Sequence, residues 1–264
     1  MVPLILLGCG YTLTRLALVE ARSGRPVLAV TRDEKRREEL SRAGVQLPSL
    51  DEAVASAKGA HVVSSIPPEA GLDASLSESL ARVGPARLVY LSSTGVYGDA
   101  RGHVDESTPL DTTSTRARGR IDAEAHYRRL GGISLRIAGI YGPGRGLHER
   151  IRSGTLRIPE SGGGRISRVH VDDLVEALRV VLERGEPGGM YCVADDRPAT
   201  QAETSQWLCA RLGLPLPPAV PLTSLHESLR GDRAISNARL KALGWRPRYP
   251  DFIVGFSALL EAGA

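Results

Sequence analysis

Leu4-Ile5-Leu6-Leu7-Gly8-Cys9-Gly10 is an apolar run that breaks directly into a glycine pair. Read on into Tyr11-Thr12-Leu13, it predicts a buried strand, a tight turn and the first turn of a helix. Glycines in such a turn let the backbone approach an anion closely. The helix then points free N–H groups and the positive end of its dipole at that anion. A dinucleotide pyrophosphate is the ligand class that suits this corner. The full pattern is Gly-x-Gly-x-x-Gly, and its third position here is Leu13. Taken alone, the corner also fits a plain tight turn of an α/β domain.

Outward from the corner, strand and helix alternate. A helix is expected over 12–23, a strand over 27–30, a charged helix over 33–43, a short stretch at 44–47 and a helix over 51–57. A strand follows at 61–65, stopped by Pro67-Pro68, then a helix over 74–83, a strand over 88–91, a long helix over 115–130 and a strand over 133–137. Strands rich in Val, Ile and Leu on both faces, recurring between helices, predict a parallel sheet covered on each side, the doubly wound α/β (Rossmann) class. After Ile140 the texture changes. Gly142-Pro143-Gly144 and Gly162-Gly163-Gly164 read as loops around an amphipathic piece at 147–153. A strand at 169–171, a helix over 172–183 and a strand at 190–193 return to the main sheet. Proline clusters at Pro215, Pro217-Pro218, Pro221, Pro247 and Pro250 predict a small irregular lobe. The expected division is a dinucleotide-binding domain of residues 1–145 plus about 165–195, and a discontinuous substrate lobe of about 146–164 plus 196–264.

The chain has 264 residues, 42% hydrophobic and 24% charged, with a net charge of +4, as expected of a soluble globular protein. Basic residues alternate with acids, as in Arg32-Asp33-Glu34-Lys35-Arg36-Arg37-Glu38-Glu39, and aromatics make up only 4%. Without a stacking platform, nucleic-acid binding is not expected. Cys9, Cys192 and Cys209 are far apart and form no ligand motif, which fits a reducing, cytoplasmic compartment. The N-terminal apolar run lacks a charged leader, and no apolar stretch approaches the roughly 20 residues that span a bilayer, so no membrane association is expected. His103, His126, His148 and His226 share no ligand spacing, and no metal is expected.

Cofactor choice is read just after the second strand. An acid there bonds a ribose 2′-hydroxyl and favours NAD, whereas an arginine pairs with a 2′-phosphate. The chain reads Thr31-Arg32, followed by Lys35 and Arg36, which favours NADP. The alternative is that Arg32 only begins a solvated helix face. Ser64-Ser65-Ile66-Pro67-Pro68 closes the next strand with small residues where a cofactor would lie, or is an ordinary strand exit. Ser92-Ser93-Thr94 crowds hydroxyls at the end of another strand, where a ligand-orienting or catalytic hydroxyl, or a cap, would sit.

Five segments in order resemble the extended short-chain dehydrogenase/reductase superfamily, its NAD(P)-dependent epimerase/dehydratase group. They are Gly8-x-Gly10, Leu91-Ser92-Ser93-Thr94-Gly95-Val96-Tyr97-Gly98, Ile140-Tyr141-Gly142-Pro143-Gly144-Arg145, Val169-His170-Val171-Asp172-Asp173-Leu174, and the end region Ser236-Asn237-Ala238-Arg239-Leu240 with Leu243-Gly244-Trp245. The resemblance implies cofactor contacts at Gly8, Gly10, Tyr11, Thr12, Leu13, Thr31, Arg32, Lys35, Arg36, Ser64, Ser65, Ile66, Ser92, Arg120 and Ile140. It implies a catalytic hydroxyl at Ser93, with Thr94 as neighbour. The family's Tyr-x-x-x-Lys pair is absent: Arg116 stands at the tyrosine position and Arg120 at the lysine position.

That replacement is chemical. The family's tyrosine moves a proton as hydride passes to or from the nicotinamide. A guanidinium stays protonated and cannot cycle as acid and base. Arg120 could still bond the nicotinamide ribose, and Arg116 could polarise a carbonyl. Such a chain resembles the atypical branch of the superfamily. Tyr127 lies eleven residues past Arg116, about 16 Å along one helix, too far to substitute. Tyr97 and Tyr141 sit at strand ends nearer the expected cleft, at positions the resemblance gives to structure or substrate contact. His170 with Asp172 and Asp173 reads as a cap and a loop-holding pair. The implied function is an NADP-binding oxidoreductase or epimerase/dehydratase-like enzyme for a small or sugar-like carbonyl or hydroxyl compound. Against it stand a non-catalytic NADPH-binding sensor and, because of Leu13, a domain that binds no dinucleotide. A homodimer through the helices at 74–83 and 115–130 is what the family implies.

Overall fold

Burial of both faces of the opening strand sets the architecture. Leu4, Leu6 and Leu7 are fully buried and Ile5 nearly so, which places β1 (Leu4–Leu7) inside a covered sheet. The structure is a computed structural model that describes residues 1–69, 71–225 and 230–263; His226 lies outside them. After β1 come α1 (Tyr11–Arg22), β2 (Val27–Val30), α2 (Glu34–Arg42), α3 (Leu50–Ala55), β3 (His61–Ser64), α4 (Leu72–Val83) and β4 (Arg87–Ser93). Then follow β5 (Arg101–Val104), α5 (Thr115–Arg129), β6 (Ile133–Ile137), β7 (Gly139–Tyr141), α6 (Leu147–Arg152), β8 (Ile158–Pro159), β9 (Arg165–Ile166), β10 (Arg168–His170) and α7 (Val171–Arg184). The chain closes with β11 (Met190–Val193), β12 (Ala199–Thr200), α8 (Gln201–Leu212), β13 (Ala219–Val220), β14 (Asp232–Ile235), α9 (Ala238–Ala242) and α10 (Phe252–Glu261).

Contacts divide the chain into two units. The first comprises Met1–Ser93, Arg118–Arg136 and Val175–Tyr191. Its frame is a six-stranded sheet in the order β11-β6-β4-β3-β1-β2. The pairing is parallel, with Leu7 beside Val30 on β2 and beside Ser64 on β3, and Ser64 beside Tyr90 on β4. The doubly wound class is thus the observed one. One side of this sheet packs Ile5, Leu7, Val62, Leu88 and Tyr90 against Leu76 and Leu80 of α4 and Ala123 and Tyr127 of α5. Each fully buried aliphatic side chain contributes roughly 1.5–3 kcal/mol, so this layer fixes the strand ends as rigid supports. Local signals agree: Asp33 caps α2, and Ser49 with Glu52 forms a capping box on α3.

The second unit comprises Thr94–Ala117, Ile137–Leu174 and Cys192–Ala264. Its core joins Tyr141, Ile151, Leu156, Leu208, Phe252, Phe256 and Leu259. The C-terminal stretch, expected to be irregular, contains two well-formed helices: α8 is capped by Thr200 and α10 by Asp251. The prolines bound these helices instead of breaking them. Three short parallel pairs were also not anticipated, β5 with β14, β7 with β10 and β8 with β13. The strand expected at 169–171 to return to the main sheet is β10, which pairs with β7 outside that sheet, whereas β11 does join it. No helix among the described residues is long and apolar enough to cross a membrane.

Candidate functional site

In the first unit the predicted cofactor positions gather along the ends of β2, β1, β3 and β4. Gly8 turns the chain at φ +76°. A Cβ there would lie 2.9 Å from both the backbone nitrogen and Cγ1 of Ile66, so a side chain is excluded where the β3 exit crosses the turn. The crossing is pinned. Ser65 Oγ donates to the Gly8 carbonyl at 2.8 Å, and the Cys9 amide donates to the Val30 carbonyl at 2.7 Å. Gly10 then caps α1 with no side-chain hydrogen bond and no acid in the first turn. A Cβ on Gly10 would meet nothing closer than the Gly8 carbonyl at 3.9 Å. The positive end of α1 is therefore open in front, and a pyrophosphate fits its chemistry. Leu13 is fully buried and Thr12 nearly so, so the residue at the third-glycine position turns into the core and not over the corner. Cys9 is buried against Thr14, and burial pushes its thiol up to about 11 despite the opposing pull of Thr14 and the Arg36 charge. The effect of Arg36 on Cys9 puts the Arg36 charge near this corner.

At the end of β2, the Thr31 hydroxyl accepts from the Asp33 amide, and Asp33 caps α2 and pairs with Arg36 at 2.9 Å. Arg32 and Lys35 are exposed. Arg36 therefore faces the corner already partly neutralised, whereas Arg32 and Lys35 make no ion pair among the described residues.

Around the ends of β3 and β4 four hydroxyl side chains are buried, Ser64, Tyr90 and Ser92 on the strands and Tyr127 on α5. Ser64 accepts from Tyr127 OH at 3.0 Å, so its hydroxyl is engaged inside the core. Tyr127 in turn stacks on Tyr90, centroids 4.8 Å apart and planes 11° from parallel. The Tyr90 OH and the Ser92 Oγ are buried with no hydrogen-bond partner among the described residues. Burial pushes the Tyr90 phenol above its ordinary value, partly offset by the positive charge of Arg120. Ser93, next along β4, is half-buried. Asp73 of α4 is buried too, which raises its carboxyl; its bond from the Glu69 amide and the charges of His126 and Arg120 act in the other direction. Buried Glu124 of α5 holds buried Arg136 of β6 through two bonds of 3.1 and 2.8 Å.

The second unit carries Thr94, Arg116 and Ile140. Thr94 and Ile140 are half-buried and Arg116 is exposed; Ile140 pairs with Val169 across β7 and β10. Arg116 and Arg120 lie one turn apart on α5. Tyr97 is buried with its OH 3.2 Å from Cys192 Sγ, and the buried Tyr141 OH packs against Gly255. Asp173 accepts from the Arg248 and Tyr249 amides at 2.7 and 3.0 Å, which holds that loop.

Sequence reading missed a cavity of about 390 Å³ in this unit, lined by Arg101, Ser161, Gly163, Gly164, Arg165, Thr200, Leu222, Arg230 and Asp232. Arg101 and Asp232 are cross-strand partners on β5 and β14. Asp232 receives both the backbone and side-chain N–H groups of Arg165 at 2.8 Å, which holds its carboxyl near about 2. Gly164 is close-packed, since a Cβ would sit 2.7 Å from Asp232 Cα. Three arginines against one aspartate give the lining a net positive charge, with Arg165 paired to Asp232 and Arg230 bonded to the carbonyls of Leu225 and Thr223 at 2.9 and 2.7 Å. The only sequence signal was arginine beside glycine, at Gly164-Arg165 and Arg230-Gly231. Among the described residues no group of three or more His, Cys, Asp or Glu could hold a metal ion.

Comparison with known proteins gives the family. The chain is 32% identical over 169 residues to a 3-diazoavenalumate denitrifying reductase from a Streptomyces species, covering 58% of this chain and 55% of the reductase. It is 34% identical over 173 residues to the protein YeeZ of Escherichia coli, covering 64% and 60%. The matches thus span little more than half the length of these curated relatives. A solved structure of a conserved protein of unknown function from Silicibacter pomeroyi is 32% identical, with a TM-score of 0.89 over 99% of each chain. More distant solved structures share the fold, one with NAD bound and another with NADPH. Residues 56–194, just over half of the chain, match the NAD dependent epimerase/dehydratase family, and the chain belongs to it.

Proposed function

We propose that this chain is an NADP-dependent oxidoreductase, cytoplasmic, acting on a small or sugar-like carbonyl or hydroxyl compound. The observation that carries the reading is the open, uncapped α1 end behind Gly8 and Gly10, flanked at the β2 end by exposed Arg32 and Lys35. Gly8, Gly10 and the α1 amides would hold the pyrophosphate, with Leu13 contributing only its backbone. Arg32, with Lys35 and Arg36, would hold the 2′-phosphate, and Arg120 the nicotinamide ribose. Bound there, the nicotinamide supplies or accepts hydride. Ser93 would hydrogen-bond the reacting oxygen, and because a guanidinium at position 116 cannot exchange a proton, that oxygen would take its proton from water. We assign the substrate lobe to about 146–164 plus 196–264, and dimer contacts to α4 and α5.

The missing tyrosine favours a substrate that accepts hydride without needing a proton delivered in the same step. The Streptomyces relative, named for the reduction of a diazo compound, supports widening the search to such electrophiles. Loss of general acid–base help costs typically 10²–10⁴-fold for ordinary carbonyls. The test is NADPH oxidation at 340 nm across panels of carbonyl, diazo and nucleotide-sugar compounds, each repeated with Ser93→Ala. Turnover that falls in the variant supports the reading. Tight NADPH binding with no Ser93-dependent turnover moves the chain to the second reading, a non-catalytic NADPH-binding sensor, which the Arg116/Arg120 replacement also favours.

A further inference from the structure

We propose that Tyr90 is a positioning residue for Arg120: its buried hydroxyl accepts a guanidinium N–H, directly or through one ordered water, and fixes the side chain that faces the cofactor. This rests on the dinucleotide reading of the first unit. Four observations carry it. Tyr90 is fully buried in mid-sheet, where phenylalanine would pack equally well, yet its OH has no partner among the described residues. A buried hydroxyl left unmatched is costly, so such groups generally have a use. The ring cannot swing away to find one, because it is stacked on Tyr127, and Tyr127 is itself tied to Ser64, the cross-strand neighbour of Tyr90. Ala123 and Tyr127 of α5 pack in the same cluster as Tyr90, and the helical repeat puts Arg120 on that same face, one turn toward the helix start.

The fourth observation is the donor's own state. Arg120 is half-buried and makes no hydrogen bond or ion pair among the described residues, although its charge acts on both Tyr90 and Asp73. A guanidinium offers five N–H donors and no acceptor. The Tyr90 oxygen offers the lone pairs that a lysine-type contact to the ribose would leave unused. Asp73 supplies the counter-charge from α4. With one edge held by Tyr90 and the Asp73 charge acting on it from α4, the other edge of Arg120 is presented in a single orientation, which lowers the entropy lost when a ribose hydroxyl binds.

The test is a double-mutant cycle on the full chain with two readouts. In the absence of nucleotide, ¹⁵N NMR of arginine Nε–Hε groups should show a resolved, exchange-protected Arg120 signal. Tyr90→Phe should move that signal into the averaged arginine envelope while the thermal midpoint and far-UV spectrum stay close to wild type. In NADPH titrations, Tyr90→Phe should raise Kd about threefold to tenfold, the size of one hydrogen bond. Tyr90→Phe/Arg120→Gln should bind no more weakly than Arg120→Gln alone. An Arg120 signal unchanged in Tyr90→Phe, or losses that add in full, overturns the proposal. Absence of NADPH binding in the wild type overturns the cofactor reading instead, and the NMR comparison still decides whether Tyr90 holds Arg120.

Discussion

Replacing Asp195 with asparagine should remove most of the pH dependence of stability on the alkaline side. Asp195 follows β11 and is 2% exposed, and neither carboxylate oxygen has a hydrogen-bond partner among the described residues. The nearby Arg168 is buried as well, but its guanidinium bonds the carbonyls of Ile166 and Ala199 at 3.0 and 3.1 Å. Burial pushes the Asp195 carboxyl from 3.8 up to about 8, against the pull of Arg168. The folded chain therefore binds a proton that the unfolded chain has released, and stability falls as pH rises between those two values. Each pH unit in that interval costs about 1.4 kcal/mol, so the loss between pH 5 and pH 8 is on the order of 4 kcal/mol. Above the folded value both states are ionised and the slope vanishes. The amide introduced by Asp195→Asn keeps the shape of the carboxyl and has no proton to lose. Urea unfolding of wild type and Asp195→Asn from pH 5 to pH 9 should give curves that diverge toward alkaline pH, with the variant more stable by several kcal/mol at pH 8. Curves that run parallel across this range would show that Asp195 finds a donor or solvent, and would refute the reasoning.

Three further outcomes are expected. Gly8→Ala combines a left-handed backbone with a 2.9 Å contact to the Ile66 backbone, and should cost about 2–4 kcal/mol in urea unfolding; a loss under 0.5 kcal/mol would contradict the crossing described. Arg136→Met strands Glu124 as an unpaired buried charge and should cost about 3–5 kcal/mol, with Arg136→Met/Glu124→Gln recovering most of it. Equal stability of the single and double variants would argue against a buried pair. Arg32→Glu should weaken NADPH about 10- to 100-fold by removing a charge-assisted phosphate contact while leaving NADH within a fewfold, as measured by fluorescence titration. An unchanged preference would return Arg32 to a solvated helix face.

The first unit was legible because its strands are buried on both faces. Leu4–Leu7 and Val62-Val63 then read as unbroken apolar runs, and the glycine turn marks where β1 stops. The second unit was less legible for a physical reason that α8 shows clearly. Its buried face is Gln201, Thr204, Ser205, Leu208 and Cys209, which has helical spacing but few apolar residues, so a hydrophobic pattern does not reveal it. In α10 the signal was present, since Phe252, Phe256 and Leu259 share one face, but the prolines just before it drew the reading toward a loop. Within the candidate site, Arg32 and Ser93 are legible as candidates because motif spacing is local. The Tyr90–Tyr127–Ser64 contact and the Arg101, Arg165 and Arg230 cavity are not, since each depends on residues that only the folded chain brings together.

Calorimetric titration of NADPH into wild type and into Gly10→Val tests the central claim most directly. Gly10 has room for a side chain, with nothing nearer than 3.9 Å to its Cβ direction, so the variant should fold with an unchanged thermal midpoint. Its methyl groups would stand where the pyrophosphate meets the α1 amides. The account predicts a wild-type Kd on the order of micromolar and loss of measurable binding in Gly10→Val. Wild type that binds neither NADPH nor NADH at millimolar concentration, or a Gly10→Val variant that binds as tightly as wild type, would contradict it.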